Sequence, residues 1–424
     1  MQYVERHVIT RTHPVFREID RASFASKGLY NKTLYITREM FETTGKVCGY
    51  NKLDKIMQTH DVYHSLPAKV AQKVVKQVSE AWKAFFVAIR EYKKCPEKFC
   101  GKPEPPKYKR KNGRNLVQYT NQAIHKGTSS RKQIIHPADL QPITTTKQNP
   151  DKIQQVRIVP RSSHYIVDVV YEVNDPPAEN AELDYSLYAA VDIGIDNLAT
   201  IVFNRPGMTP FAISGRELKS INQFYNKRKA YFKSMLPAGR HTSRRIEAMG
   251  DKRYWRVQDY FHKATRFIVD ELVRLKVGNL VIGKNREWKQ EVNIGRKNNQ
   301  NFCSIPHDRF IWMLTYKAEA VGIKVTCQEE AYTSKTSFLD NEPICAHEKY
   351  LGRRIKRGLF RSDTGTLINA DCNGAYNVLR KFAPEAIQVS IASVSYVLHP
   401  VRITFNQLNM KKVDPNPSRD DVRE

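Results

Sequence analysis

The segment YAAVDIGIDNLATIVFN, residues 188–204, constrains the fold more than any other stretch of the chain. An apolar strand is expected to run into Asp192, Gly194 permits a tight turn, and a second apolar strand leaves at Leu198. A carboxylate at such a strand end is held rigidly yet stays reachable, which is what a catalytic metal ligand requires. Asp-x-Gly alone is weak evidence, because ordinary turns also favour Asp and Gly.

A second segment adds weight. LINADCNGAYNVLRKF, residues 367–382, predicts a helix that begins near Asp371, with Asn373 and Asn377 one turn apart and Ala375, Val378 and Leu379 anchoring it to a sheet. Asp at a helix start is also a good N-cap, so a capping role for Asp371 stays open. A strand-borne Asp early and a helix-borne Asp late is how the RNase H fold gathers carboxylates around metal ions.

The balance of 70 Lys and Arg against 43 Asp and Glu gives a formal charge of +27. Such a charge opposes compaction unless a polyanion neutralises it, and phosphate backbones are the usual partner. With 424 residues and 41% apolar composition, the chain is long enough for about two or three folded domains. No apolar stretch approaches a membrane span, and the N-terminus lacks a secretory apolar region, so a protein of the cytoplasm, or in contact with the chromosome, is expected. Seven scattered cysteines suit reduced thiols.

Along the chain, residues 1–20 alternate weakly, as a strand does. The pattern Ala71, Val74, Val75, Val78, Trp82, Phe85, Ile89 predicts an amphipathic helix opening at Ser65 with Pro67 in its first turn. GKPEPPKYKRKNGR, residues 101–114, is too proline-rich for a helix, and its Lys107, Tyr108, Lys109, Arg110 and Lys111 suit an extended segment following a phosphate backbone. Residues 153–173 read as a hairpin turning at PRSS, and DPPAEN from Asp175 as a linker, with a domain boundary near residue 180. The tail, residues 411–424, has a disordered composition.

These segments together resemble TnpB, the RNA-guided nuclease of insertion sequences, and the compact type V CRISPR effectors that descend from it. The resemblance rests on VDIGIDNLAT from Val191, LVIGKNREWKQ from Leu280, AYTSKTSFLD from Ala331, NADCNGAYN from Asn369, the run from Leu66, and the proline-lysine segment after Lys102. It implies an α/β chain with a mixed N-terminal lobe. A wedge-type β-barrel (residues 1–20 and 100–180) would carry an inserted helical recognition lobe (21–99). A RuvC-like, RNase H-fold nuclease domain (181–330 and 367–410) would be interrupted by a basic target-nucleic-acid-binding insert (331–366). The implied activity is guided, two-metal DNA cleavage beside a short flanking motif. The implied cofactors are two Mg2+ (or Mn2+) and a guide RNA. The partners are double-stranded target DNA and its displaced single strand, with no membrane and a monomeric protein.

The family's first and third catalytic aspartates map onto Asp192 and Asp371. Its second acid, commonly a Glu at the end of the LVIG strand, is replaced by Gly283. The resemblance to rearranged relatives points instead to Glu330, with Glu329 in reserve. Alternation sets the two on opposite faces without saying which face meets the site. Glu287 is the other nearby acid, but Arg286, Trp288 and Lys289 around it suggest a nucleic-acid contact loop. The family's paired Cys-x-x-Cys motifs are absent: Thr336 and Ser337 stand at the first pair, only Cys345 and His347 come later, and no structural zinc is expected. Arg353, Arg354 and Arg357 in the insert, and Arg244, Arg245 and Arg253 in a basic, aromatic-interleaved helical region, are expected to meet nucleic acid. Two rival readings are a nuclease-dead guided DNA binder and an RNA-independent resolvase or transposase.

Overall fold

The computed structural model describes residues 2–125, 134–145, 153–172, 182–285, 295–387 and 399–409. They gather into two units, Met1–Asp175 and Pro176–Glu424. The proposed linker from Asp175, the loop with Arg286, Glu287, Trp288 and Lys289, and the tail lie outside the described residues.

In the first unit, β1 (Gln2–Ile9) is followed by α1 (Phe16–Thr44), α2 (Tyr50–Met57), α3 (Asp61–His64) and α4 (Ala68–Lys94). Strands β2 (Val117–Thr120), β3 (Ile124–His125), β4 (Ile134–Pro137), β5 (Ile143–Thr144), β6 (Ile153–Pro160) and β7 (Tyr165–Glu172) come after. The expected hairpin is β6–β7, pairing Ile158 with Val167 and Pro160 with Tyr165. It sits in an antiparallel sheet of order β1-β7-β6-β2, and β3-β4-β5 form a second sheet. Helix α4 starts later than its sequence suggested, because Pro67 is its N-cap. Ser65 instead closes α3, its hydroxyl donating back to the Val62 carbonyl at 2.7 Å. The apolar face of α4 is buried as expected, through Val70, Val74, Val78 and Trp82. Trp82 meets Phe41 of α1 at 5.1 Å. Helix α1 stops at Gly45, whose φ of 66° only glycine adopts freely. The segment after residue 100 is extended, and Asn31 of α1 bonds both the amide and the carbonyl of Lys109, at 2.8 and 2.9 Å.

The second unit opens with β8 (Asp184–Ile193), β9 (Asn197–Phe203) and β10 (Phe211–Ser214), then α5 (Arg216–Ser234), α6 (Arg244–Arg274) and β11 (Val277–Gly283). It continues with α7 (Arg296–Ser304), α8 (His307–Glu319), β12 (Lys324–Gln328), β13 (Arg353–Lys356), β14 (Leu359–Arg361), β15 (Leu367–Asn369), α9 (Ala370–Phe382), β16 (Val401–Ile403) and α10 (Phe405–Asn409). Six strands form one mixed sheet, β12-β11-β8-β9-β10-β16. β8, β9 and β10 are antiparallel neighbours, while β11 runs parallel to both β8 and β12. This mixed α/β arrangement is consistent with a RuvC-containing fold. Alternation divides the sheet's side chains. Ala189, Val191, Ile201, Leu280 and Ile282 pack with α6 and α8, whereas Ala190, Val202 and Val281 pack with α9. Both faces are therefore covered, which is why β8 and β9 read as continuous apolar runs. Phe360 and Ile368, from the small β13-β14-β15 sheet, join the α9 side. No helix among the described residues is long and apolar enough to cross a membrane.

Candidate active site

Asp192 is the penultimate residue of β8. It shares the parity of Ala190, so its side chain rises on the α9 face. The turn beyond it is tight. A Cβ at Gly194 would meet the Asn197 carbonyl oxygen at 2.6 Å, and His307 Nε2 lies 3.2 Å from the Gly194 carbonyl, bracing it. Across from Asp192 lies α9. A Cβ at Gly374 would come within 3.5 Å of the Asp192 carboxylate, so the small residue lets helix and acid approach closely.

Asp371 lies one turn earlier on α9. Capping of this helix falls to Asn369, whose side chain accepts from the amides of Asp371 and Cys372 at 3.0 and 3.2 Å. An Asn N-cap of this kind contributes about 1 kcal/mol. It leaves the Asp371 carboxylate for other partners. Asn197 donates to Oδ2 at 2.8 Å, and Arg354 stands 3.5 Å from Oδ1.

Glu330 lies just beyond the end of β12. Val325 packs against the α6–α8 core, so the opposite parity, that of Glu330, belongs to the α9 face. Its carboxylate occupies the space that a side chain at residue 283 would fill: a Cβ on Gly283 would lie 2.6 Å from Glu330 Oε2 and 3.0 Å from Val378 Cγ2. The missing side chain on β11 thus makes room for the acid arriving from β12. Asn285 holds it from both ends, its Oδ1 accepting from the Glu330 amide at 3.2 Å and its Nδ2 donating to Oε1 at 3.3 Å. Oε2 is buried without a hydrogen-bond partner among the described residues. Glu329 is exposed.

The electrostatics reflect this convergence. Burial, then the charges of Asp371 and Glu330, push the Asp192 carboxyl well above the usual carboxylate range, with Arg354 offsetting part of the rise. Burial alone pushes Glu330 up to about 7. Among the described residues, no three His, Cys, Asp or Glu side chains close tightly enough to cage one ion. The acids converge without forming a closed shell.

Beside Asp371 opens a cavity of about 710 Å³, lined by Arg216, Lys219, Arg354, Arg357 and Arg402 together with Asp196. Arg357 pairs with Asp196, as does Lys219 at 2.6 Å. Arg353 is exposed. On α6, Arg244 and Arg245 are exposed. Arg253 is instead engaged inside the unit, bonding Asn222 Oδ1 at 2.6 Å and the Ser304 carbonyl at 2.7 Å. In the first unit, Lys107, Lys109, Arg110 and Lys111 are exposed, with Arg38 stacked 5.0 Å from the Tyr108 ring.

Several contributors were not evident from sequence. Asn197 and Asn285 lie within the quoted segments but carry no functional signal there, and Gly283 stands only as the replaced Glu. Asn373 and Asn377 are not site residues but staples. Asn373 bonds Phe338 N and the Thr336 carbonyl at 2.9 and 2.8 Å, and Asn377 donates to the Thr333 and Thr336 carbonyls at 2.9 and 2.8 Å. They fix the segment after Glu330 to α9. The insert has a further organiser in Glu342, which is buried and accepts from the amides of Ser337 and Leu351 at 2.6 and 2.8 Å. Cys345 Sγ and His347 Nε2 stand 3.4 Å apart on the surface.

Residues 168–289 match the OrfB_IS605 family model, described as a probable transposase, and residues 307–378 match that of the Cas12f1-like TNB domain. The second match runs from His307, which braces the Asp192 turn, through Glu330 and Asp371. The chain is TnpB-like. A curated TnpB-like protein, ORF457 of Acidianus two-tailed virus, is 21% identical over 421 residues, covering 91% of this chain and 88% of its own. A cryo-EM structure of a Cas12f1-sgRNA-target DNA complex shares the fold at a TM-score of 0.50 and 14% identity, over 85% of this TnpB-like chain and 81% of the other.

Proposed function

We propose that this TnpB-like protein is an RNA-guided DNA endonuclease whose phosphodiester hydrolysis takes place at Asp192, Glu330 and Asp371. The observation that carries the reading is the Glu330 carboxylate lodged against Gly283. It restores a third acid to the ends of β8, β11 and β12 where the family's own Glu is missing. The buried, unpartnered Glu330 Oε2 and the all-oxygen donor set fit hard divalent cations such as Mg2+ or Mn2+. Asp192, Glu330 and Asp371 would hold two such ions, which would supply the Lewis acidity that activates water and neutralises the leaving oxygen.

The protein's own residues do the rest. Asn197 and Arg354 orient Asp371, and Asn285 orients Glu330. The cations lining the neighbouring cavity would hold phosphates of the cut strand. Target sequence is read by base pairing with a guide RNA, in keeping with the guide and target DNA named for the Cas12f1 complex of similar fold. The first unit offers a reader for a flanking motif. A cavity of about 420 Å³ is lined by Lys69, Lys73 and Lys76 with Gln72, Asn121 and Gln154, and contains no acid. Amides suit adenine edges and lysines suit guanine. Residues 1–20 and 100–180 would form the wedge-type β domain and residues 21–99 the recognition lobe, acting as a monomer on double-stranded DNA and its displaced strand.

The test is cleavage of target DNA by purified ribonucleoprotein in Mg2+. Asp192→Ala and Glu330→Ala should each abolish cutting and leave guided binding nearly intact; wild-type cutting by Glu330→Ala would refute the assignment. The Gly283 that replaces the family's Glu favours the rival guided binder that does not cut, for which wild-type protein binds target and yields no product in either metal. The transposase description favours an RNA-independent enzyme, for which cutting persists after the RNA is removed.

A further inference from the structure

Helices α5 and α6 pack as neighbours in the second unit, and such a seam is ordinarily apolar. Part of this one is not. Facing α5, α6 presents Arg245, Met249, Lys252 and Arg256, one side of the helix at successive turns, and a cavity of about 320 Å³ opens there. Across it, α5 supplies Phe224, Tyr225, Arg228 and Phe232. Phe232 is buried between two guanidiniums, with Arg245 4.1 Å and Arg228 5.0 Å from its ring centroid. Phe224 is 63% exposed at the rim. Among the described residues Arg228, Arg245 and Lys252 have no ion-pair partner, and no acid lines the cavity.

An exposed ring beside three unneutralised cations calls for a ligand that is flat and aromatic at one end and anionic at the other. A bare phosphate would not need Phe224, and an apolar ligand would not need the cations. The volume lies at the small-ligand end of the roughly 300–1,000 Å³ typical of binding clefts. A duplex offers phosphates but keeps its base faces stacked, whereas a single strand can offer both. We propose that this cavity takes one unstacked nucleotide of a single strand, its base on Phe224 and its phosphate on Arg228, Arg245 and Lys252. The proposal rests on the reading of the protein as a nucleic-acid binder, and not on its cutting DNA.

The test uses the full-length protein carrying Asp192→Ala, with short single strands bearing 2-aminopurine, one arm DNA and the other RNA. Quenching of the fluorophore in the DNA arm assigns the cavity to a DNA strand, and quenching in the RNA arm assigns it to the guide. Phe224→Ala should weaken single-strand binding about tenfold and abolish quenching, and Lys252→Gln should weaken binding alone. Phe224 is exposed, so its removal leaves the fold intact. No quenching in either arm, or binding by Phe224→Ala equal to that of the parent, overturns the proposal. Cleavage by the unsubstituted ribonucleoprotein is read in parallel, so a protein that quenches but does not cut refutes only the nuclease reading.

Discussion

The Glu330 carboxylate occupies the space that a side chain at residue 283 would fill, and on the proposed reading it stands in for an acid on β11. If the carboxylate is held where a Cβ at residue 283 would go, filling that space should displace it. Gly283→Ala puts an atom 2.6 Å from Glu330 Oε2 and 3.0 Å from Val378 Cγ2, so cleavage is expected to fall at least about tenfold while the fold is retained, as checked by circular dichroism. A Gly283→Glu, Glu330→Ala double variant should recover part of the activity lost in Glu330→Ala, and no recovery would argue against a shared location. The same carboxyl sets a pH dependence. It rises from 4.5 to about 7 in the folded protein, so the folded state holds its proton longer than the unfolded chain. Without metal, stability therefore falls as pH rises from the unfolded pKa through the folded one and levels above it, by on the order of 3 kcal/mol at most. Asp192 acts in the same direction. Glu330→Gln should flatten this slope without abolishing it, as seen in urea midpoints measured in EDTA across that range.

At the scale of elements, the site depends on how α9 is tied to the segment after β12. Asn377→Ala removes the side-chain donor of the buried Thr333 carbonyl and one of two for the Thr336 carbonyl, which keeps Asn373. Leaving a buried acceptor unpaired costs about 1–3 kcal/mol, which corresponds to a melting temperature lower by very roughly 2–10 °C by calorimetry. Cleavage should fall further than stability, because the Glu330 segment loosens. In the insert, the Glu342 carboxylate ties Ser337 to Leu351 through their amides. Glu342→Ala should speed amide hydrogen exchange across residues 337–351, while EDTA leaves exchange there unchanged; a response to EDTA would reveal a metal in the insert. Elements also explain why some of this escaped the sequence. The face of β12 that meets the site depends on Val325 packing toward α8, a contact that alternation alone does not determine. Ser65 looked like a helix start because it precedes Pro67, but α3 claims its hydroxyl.

For the whole molecule, the charge of +27 predicts that the proposed binding of guide RNA and DNA is strongly salt-dependent. If about six to ten phosphates are neutralised, affinity should drop by on the order of 10³–10⁵ between about 50 and 200 mM salt, measured by filter binding. A shallow dependence would mean that most of the cations face solvent. That charge, the strand-turn-strand around Asp192 and Gly194, the helix of residues 370–382 and the β6–β7 hairpin were all legible in the sequence. Each depends on local periodicity or composition, which neighbouring residues determine among themselves. Tertiary structure alone decided three matters: that the Glu330 carboxylate fills the space beside Gly283, that Asn197 and Asn285 orient the acids, and that α5 and α6 part around an aromatic, cationic cavity. Each requires segments distant in sequence to be brought within a few ångströms, and which ones meet is decided by how the sheet's two faces are covered.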